Sequence, residues 1–197
     1  MFDPKPVTLA GPHARLTPLA AEHAPGLLAL GADADIWTWL PSRPAESPAA
    51  MERWIAEALA ARDAGTEVPF AILDADGALA GSTRYLAIER AHRRLEIGWT
   101  WLGPAHRRTA VNTQCKMLLL SHAFDDLGAV RVEFKTDHLN TRSREAILRL
   151  GATQEGVFRK HRQRPDGTWR DSVWFSILDT EWPRVRERLQ ARLTRGA

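Results

Sequence analysis

What this chain lacks narrows its class before any motif does. It has one cysteine, Cys115, so no disulfide can close within the chain and no C-x-x-C metal or redox motif exists. No apolar run approaches the roughly 18–20 residues that a membrane-crossing helix needs. The first residues, MFDPKPVTLAGPH, show no basic stretch followed by an apolar one, the mark of an export signal. A cytoplasmic location without a membrane partner is therefore expected. Lysine is scarce too, with arginine supplying 23 of the 27 basic side chains. Against 24 acidic residues this leaves a net charge of +3, a weak bias toward anionic ligands. Basic and aromatic residues do not interleave on one expected surface, so nucleic acid is not an expected partner. The histidines share no metal-like spacing, and no metal is expected.

What is present reads as a globular chain: 44% of its 197 residues are hydrophobic and 26% charged. Residues 1–197 are expected to form a single domain, as a monomer or homodimer. Val7–Leu9 and Arg15–Thr17 suggest a hairpin around Gly11-Pro12. Helices are expected over Ala20–Leu30 and, opened by Ser47-Pro48, over Ala49–Asp63. Pro69–Leu73 and Ala78–Ile88 flank the turn Asp74–Gly77 and read as paired strands. A third strand, Arg93–Leu102, is expected to carry Leu95, Ile97, Trp99 and Trp101 on one face and Glu96, Gly98 and Thr100 on the other. A long helix, Ala110–Leu127, presents Val111, Cys115, Leu118, Leu119 and Ala123 on one side. A strand over Val130–Thr136 follows, then a helix over Asn140–Leu150 with Gly151 as its C-cap. Two strands, Glu155–Arg164 and Thr168–Leu178, join through Pro165-Asp166-Gly167, and a last helix spans Glu181–Leu193. The helix between the strands at 93 and 130 is a crossover, which makes those two strands parallel. The expected architecture is α/β of the mixed α+β kind.

The stretch from Leu95 to Leu127 concentrates the chemistry. A strand ends at Gly103-Pro104, Arg107 and Arg108 follow, and a helix begins within a few residues. The first turn of a helix has N–H groups without acceptors and the positive end of the dipole, so phosphate binds there readily.

Three segments then resemble the GNAT superfamily of N-acetyltransferases. Arg107–Asn112 resembles the family's Gln/Arg-x-x-Gly-x-Gly/Ala acyl-CoA loop. Asn140-Thr141-Arg142-Ser143 with Leu150-Gly151-Ala152 resembles its Asn-x-x-Ser…Leu-Gly segment. Arg170–Ile177 resembles the last strand of the branch of ribosomal-protein N-terminal acetyltransferases. The resemblance implies a GNAT-like fold, with a mixed central sheet of about six to seven strands and helices on both faces. It implies acetyl-CoA as cosubstrate and a primary amine as acceptor, either a protein N-terminus or a small molecule. The loop departs from the pattern at Ala110 and Asn112, where relatives carry glycine or another small residue. The tyrosine many relatives use as general acid would fall near Ile147 and is absent, while the single tyrosine, Tyr85, is on an early strand.

On this basis Arg107, Arg108, Thr109, Ala110, Val111, Asn112 and Thr113 are expected around the pyrophosphate. Trp101 and Leu102, at the strand end, are expected at the acyl carbonyl, and Asn140 at the pantetheine arm. Glu96 is the expected general base, its pKa raised by burial beside Trp99, and Ser143 or a water the general acid. Trp37, Trp39 and Trp99 are expected at the acceptor. Bland readings stay open: Asn140 also suits a helix N-cap, the tryptophans also suit a core, and Cys115 suits packing rather than attack. The cluster Arg159–Arg164 either meets an acidic acceptor or nucleic acid, or guards a solvated sheet edge. A catalytically weak acyl-CoA sensor of the same fold is the alternative function.

Overall fold

The computed structural model describes residues 2–164 and 166–195. Eight strands form one sheet: β1 (Leu9–Ala10), β2 (Ala14–Pro18), β3 (Val68–Asp74), β4 (Leu79–Glu89), β5 (Arg94–Leu102), β6 (Arg131–Asp137), β7 (Thr153–Gln163) and β8 (Trp169–Leu178). Five α-helices accompany them: α1 (Ala24–Leu30), α2 (Pro48–Asp63), α3 (Ala110–Ser121), α4 (Thr141–Leu150) and α5 (Trp182–Thr194). The sheet order is β1-β2-β3-β4-β5-β6-β8-β7. Every neighbouring pair is antiparallel except β5 and β6, the pair joined across the α3 crossover. Eight strands exceed the expected six to seven because the N-terminal hairpin joins the sheet, Leu16 pairing with Ile72.

Local chemistry accounts for most element ends. Ser47 Oγ accepts the Ala50 N–H at 3.1 Å and Pro48 opens α2. Asp74 Oδ1 accepts the N–H groups of Asp76 and Ala78, which fixes the β3–β4 turn. The helix expected from Ala20 starts as a 3-10 turn, Ala21–His23, and becomes α-helical only at Ala24. Pro25 has no N–H to bond the Ala21 carbonyl. The long helix expected over Ala110–Leu127 runs as α3 to Ser121 and finishes in a π-helical turn, His122–Asp126. Of the hairpin turn between β7 and β8, Pro165 lies outside the described residues.

Helices cover the inner strands of the sheet on both faces, while the edge strand β7 is mostly exposed. On one side α3, α4 and α5 cover Leu16, Phe70, Tyr85, Leu95, Val132 and Phe175. On the other, α1 and α2 cover Ala71 and Trp101 with Leu27, Met51, Trp54 and Ile55. Helices thus lie on both faces, as the fold expectation had it.

Two irregularities matter for the site. β5 and β6 pair only at Arg94–Arg131, Leu95–Val132 and Glu96–Glu133, and then diverge. Meanwhile β5 bulges: Ser82 faces Trp101 but Arg84 faces Gly98, so Trp99 and Thr100 together oppose Thr83. Trp99 takes a left-handed φ of 52° there. A bulge adds a residue and turns later side chains to the other face. The expected alternation therefore fails at this point. Leu95 and Ile97 enter the core beneath α3, whereas Trp99 and Trp101 pack toward α1 and α2.

Candidate active site

Where β5 and β6 part, a cavity of about 810 Å³ opens. Ile97 to Leu102 form one wall and Phe134 to Thr136 the other. Two helix N-termini reach it, α3 through Asn112 and α4 through Asn140, Arg142 and Ser143. Thr109 caps α3 by accepting the Val111 N–H at 3.3 Å, and Asn140 Oδ1 caps α4 by accepting the Ser143 N–H at 3.0 Å. The other first-turn N–H groups have no helical acceptor, so two positive dipole ends meet at one opening. Arg108 stands beside them, exposed and held at a φ of 61°, with no ion pair among the described residues. Arg107 is already committed: its Nη2 lies 3.0 Å from Asp33 Oδ2 and its Nε donates to the Leu102 carbonyl.

Glu96 sits deeper in the same cavity, 4% exposed. Lys135, two residues along β6 from the pairing partner Glu133, places Nζ 2.5 Å from Glu96 Oε2. Burial raises the Glu96 pKa from its ordinary value, while the positive charges of Lys135 and Arg162 pull the other way. Gly98 makes room for this carboxylate: a Cβ there would meet Glu96 Oε1 at 3.0 Å and Leu86 Cδ2 at 2.9 Å. Trp99 is held by Trp54, 6.2 Å away edge to face, and by the Arg84 guanidinium 4.9 Å from its ring. Arg84 in turn pairs with Glu67 at 2.9 Å, and Glu67 also lines the cavity.

Lys116 completes the wall from α3. Its Nζ donates to Thr100 Oγ1 at 2.7 Å, and Thr100 Oγ1 is 2.8 Å from Thr83 Oγ1. Burial pushes this lysine's pKa down to about 8. The arrangement combines a cationic mouth suited to a polyanion with a buried carboxylate that can take a proton. No group of three or more His, Cys, Asp or Glu side chains among the described residues could hold a metal. No helix among them is long and apolar enough to cross a membrane.

Residues 13–153 match the acetyltransferase (GNAT) domain family. The chain belongs to the GNAT acetyltransferases. A Brucella melitensis GCN5-related N-acetyltransferase of known structure superposes with a TM-score of 0.89 at 34% identity, over 96% of this chain and 86% of that one. Mycobacterium smegmatis RimJ, solved in complex with CoA-disulfide, shares the fold with a TM-score of 0.83 at 23% identity, over 94% of each chain. The Bacillus subtilis (strain 168) protein named "Putative ribosomal N-acetyltransferase YdaF" is 29% identical over 107 residues, 54% of this chain and 57% of that protein. The chain thus spans about half the length of the curated relatives it matches. The name of the Bacillus subtilis relative agrees with the ribosomal-acetyltransferase-like branch suggested by Arg170–Ile177.

Within this GNAT domain, most of the expected residues converge. Glu96, Trp99, Trp101 and Leu102 line the cavity from β5, and Arg107, Arg108 and Asn112 line it from the loop and α3. Asn140 and Ser143 line it from α4, and Trp39 from the N-terminal segment. Others stand elsewhere. Trp37 is a core residue, 4.9 Å from Trp101 ring to ring, with its indole N–H donated to the Gly31 carbonyl. Its burial keeps it out of the cavity wall. Thr109 serves as a cap, Ala110 is the first residue of α3, and Val111 and Thr113 are buried. With its N–H taken by Thr109, Val111 is not a free donor. The position expected for a tyrosine acid holds Ile147, an apolar residue in the cavity wall. Tyr85 is fully buried and donates to the Leu119 carbonyl, so its hydroxyl is structural. Cys115 is buried in the core, its thiol pushed up to about 12 by burial.

Sequence reasoning missed Lys116 and Lys135, and it named Arg162 and Arg170 only within a basic cluster and a strand motif; all four reach the cavity. For Lys116 a signal existed, because it is four residues beyond Asn112 and so shares its helical face. Lys135 had none, since its meeting with Glu96 depends on how β6 registers against β5.

Proposed function

We propose that this chain, as a single domain over residues 1–197, transfers an acetyl group from acetyl-CoA to a primary amine. Acetyl-CoA supplies the activated acyl group as a thioester. The observation that carries the reading is one cavity holding two helix N-termini at its mouth and the buried Glu96–Lys135 pair within. The residues fit the cosubstrate. Arg108, Arg142 and the free N–H groups of the α3 first turn bind the pyrophosphate. Asn140 keeps its side-chain amide N–H groups for the pantetheine arm, because capping uses only its oxygen. Backbone N–H groups along the unpaired edge of β5 from Ile97 polarise the acyl carbonyl.

Glu96 accepts the amine proton, directly or through a water, and Lys135 opposes the rise that burial imposes on its pKa. The amine nitrogen bonds to the acyl carbon in a ternary complex and the carbon–sulfur bond breaks. Cys115 is buried too deep for an acyl-enzyme, which supports direct attack. The departing thiolate takes a proton from water, directly or relayed by the Ser143 hydroxyl, which regains it from water and makes no hydrogen bond among the described residues; Glu96 returns the amine proton to solvent. The acceptor is a protein N-terminus or a small amine, and the reaction belongs in the cytoplasm.

Thermal denaturation with acetyl-CoA tests the binding half. A ligand of the folded state raises the midpoint with concentration, and no shift at millimolar acetyl-CoA would refute the reading. Thiol release with an amine panel tests the chemistry. Glu96→Gln should lower turnover by about 10²- to 10⁴-fold and keep the acetyl-CoA shift; undiminished turnover would remove Glu96 from the mechanism.

A further inference from the structure

β7 and β8 set Arg162 directly opposite Arg170. Like charges facing each other across an antiparallel pair destabilise it. Burial makes this pair worse, because the Arg170 side chain is only 13% exposed. Asp137 supports the charge on Arg170 but leaves its terminal nitrogens unbonded. Asp137 gives both its oxygens to Arg164, at 2.8 and 3.0 Å, and stays 4.0 Å from Arg170 Nε. Arg170 Nε donates to Ser172 Oγ at 3.0 Å. Among the described residues, the terminal nitrogens of Arg170 have no acceptor, and the Arg162 side chain has neither ion pair nor hydrogen bond.

Both arginines line the cavity. Both also lie near Glu96: Arg162 draws the Glu96 pKa down, and Glu96 supports the charge on Arg170. Two guanidinium forks with unused donors beside the proton acceptor form a cradle for a planar anion. The acyl-CoA phosphates have their own cations at the helix ends, Arg108 and Arg142.

We infer that the acceptor is a primary amine with a carboxylate close to it, and that Arg162 and Arg170 bind that carboxylate while the amine faces Glu96. The inference rests on the acetyl-transfer reading for its amine. The carboxylate relieves the Arg162–Arg170 repulsion, so substrate binding recovers what the fold spends in holding two like charges together. An uncharged acceptor leaves that repulsion in place. The carboxylate has two possible sources, an Asp or Glu side chain at the second position of a peptide or the α-carboxylate of a free amino acid.

The test compares short peptide amides beginning Ser-Asp, Ser-Asn and Ser-Lys, and a free amino acid against its amide, with the full chain and acetyl-CoA. Thiol release gives kcat/KM for each, and calorimetry on the CoA-saturated protein gives each affinity. The carboxylate-bearing member of one series should exceed its neutral counterpart by about 10- to 100-fold, the Ser-Lys peptide being poorest. The series that shows the preference identifies the source. Arg162→Gln, at an exposed position, should collapse that ratio toward one through KM and preserve the acetyl-CoA thermal shift. Equal affinities for acidic and neutral partners in both series would overturn the inference. So would loss of the acetyl-CoA shift in Arg162→Gln, since the arginines would then serve the cosubstrate. Absence of turnover with every acceptor, alongside preferential binding of the acidic one, would refute acetyl transfer and leave the carboxylate cradle standing.

Discussion

Lys135 Nζ rests 2.5 Å from Glu96 Oε2, across the one parallel strand pair among the described residues. The contact ties together the two strands whose divergence opens the cavity. It also sets two opposing influences on the same carboxylate, burial raising its pKa and the ammonium lowering it.

Removing the ammonium should therefore move the pH profile. In Lys135→Met the Glu96 pKa rises further, and the acid limb of kcat/KM, which requires ionised Glu96, shifts to higher pH. Breaking a buried pair by deleting one partner also costs about 3–5 kcal/mol at most sites. A lower denaturation midpoint with an unmoved acid limb would show that Lys135 is structural and Glu96 is not the base.

Gly98→Ala probes the room beside that carboxylate. The added Cβ lies 3.0 Å from Glu96 Oε1 and 2.9 Å from Leu86 Cδ2. Both neighbours are side-chain ends and can shift, so the fold should survive with about 1 kcal/mol lost. The carboxylate is displaced, however, and transfer should fall by roughly 10- to 100-fold. Wild-type kinetics would show that the Glu96 position is not critical.

Lys116 makes a prediction of opposite sign for stability. Its folded pKa of about 8 lies below the ordinary 10.5, because burial penalises the charge. Between those values the unfolded chain binds more protons, so stability rises with pH through this window. Lys116→Met removes a burial cost of up to about 3 kcal/mol at neutral pH. The variant should have the higher urea midpoint at pH 7 and lose that advantage by about pH 10.5. Thr100 keeps Thr83 as its hydrogen-bond partner. A variant less stable at every pH would mean that the ammonium holds the bulge in place.

Glu155 governs an acid limb. Hydrogen bonds from Arg131 hold its carboxyl at about 2, below the ordinary 4.5, with burial opposing and Ser176 assisting. Its stabilising effect is complete above about pH 4.5 and is lost as pH falls toward 2. The pair is partly exposed and screened, so the effect is no more than about 1 kcal/mol. Glu155→Gln should flatten the urea midpoint between pH 5 and pH 2.5; an unchanged slope would show that Glu155 is not the group responsible.

Much of the architecture was legible because its cues are local. Ser47-Pro48, Asp74–Gly77 and Gly151 mark ends by capping and turn chemistry that involves residues within four positions. The cation-rich helix start at Arg107–Asn112 was legible for the same reason. Asn140 was read as both cap and ligand, and its cap is present. Less legible were features created by strands meeting. Alternation carried Leu95 and Ile97 correctly but placed Trp99 and Trp101 on the wrong face, because a single-residue bulge opposite Thr83 cannot be read from a run of alternating residues. Trp37 was misplaced for a related reason. Its neighbour Trp39 reaches the cavity, and two residues of spacing do not reveal which indole the Trp101 ring will cover.

By itself, then, the sequence determined the order of the elements, the parallel crossover and a helix start preceded by two arginines, each from periodicity or chemistry spanning a few residues. Tertiary structure alone decided which charges share a space. Glu96 met Lys135 through the β5–β6 register, and Arg162 met Arg170 through the β7–β8 register. A bond between side chains 39 residues apart depends on how two strands align. Strand pairing sets that alignment through contacts summed over the whole sheet, and no short window of sequence encodes the sum.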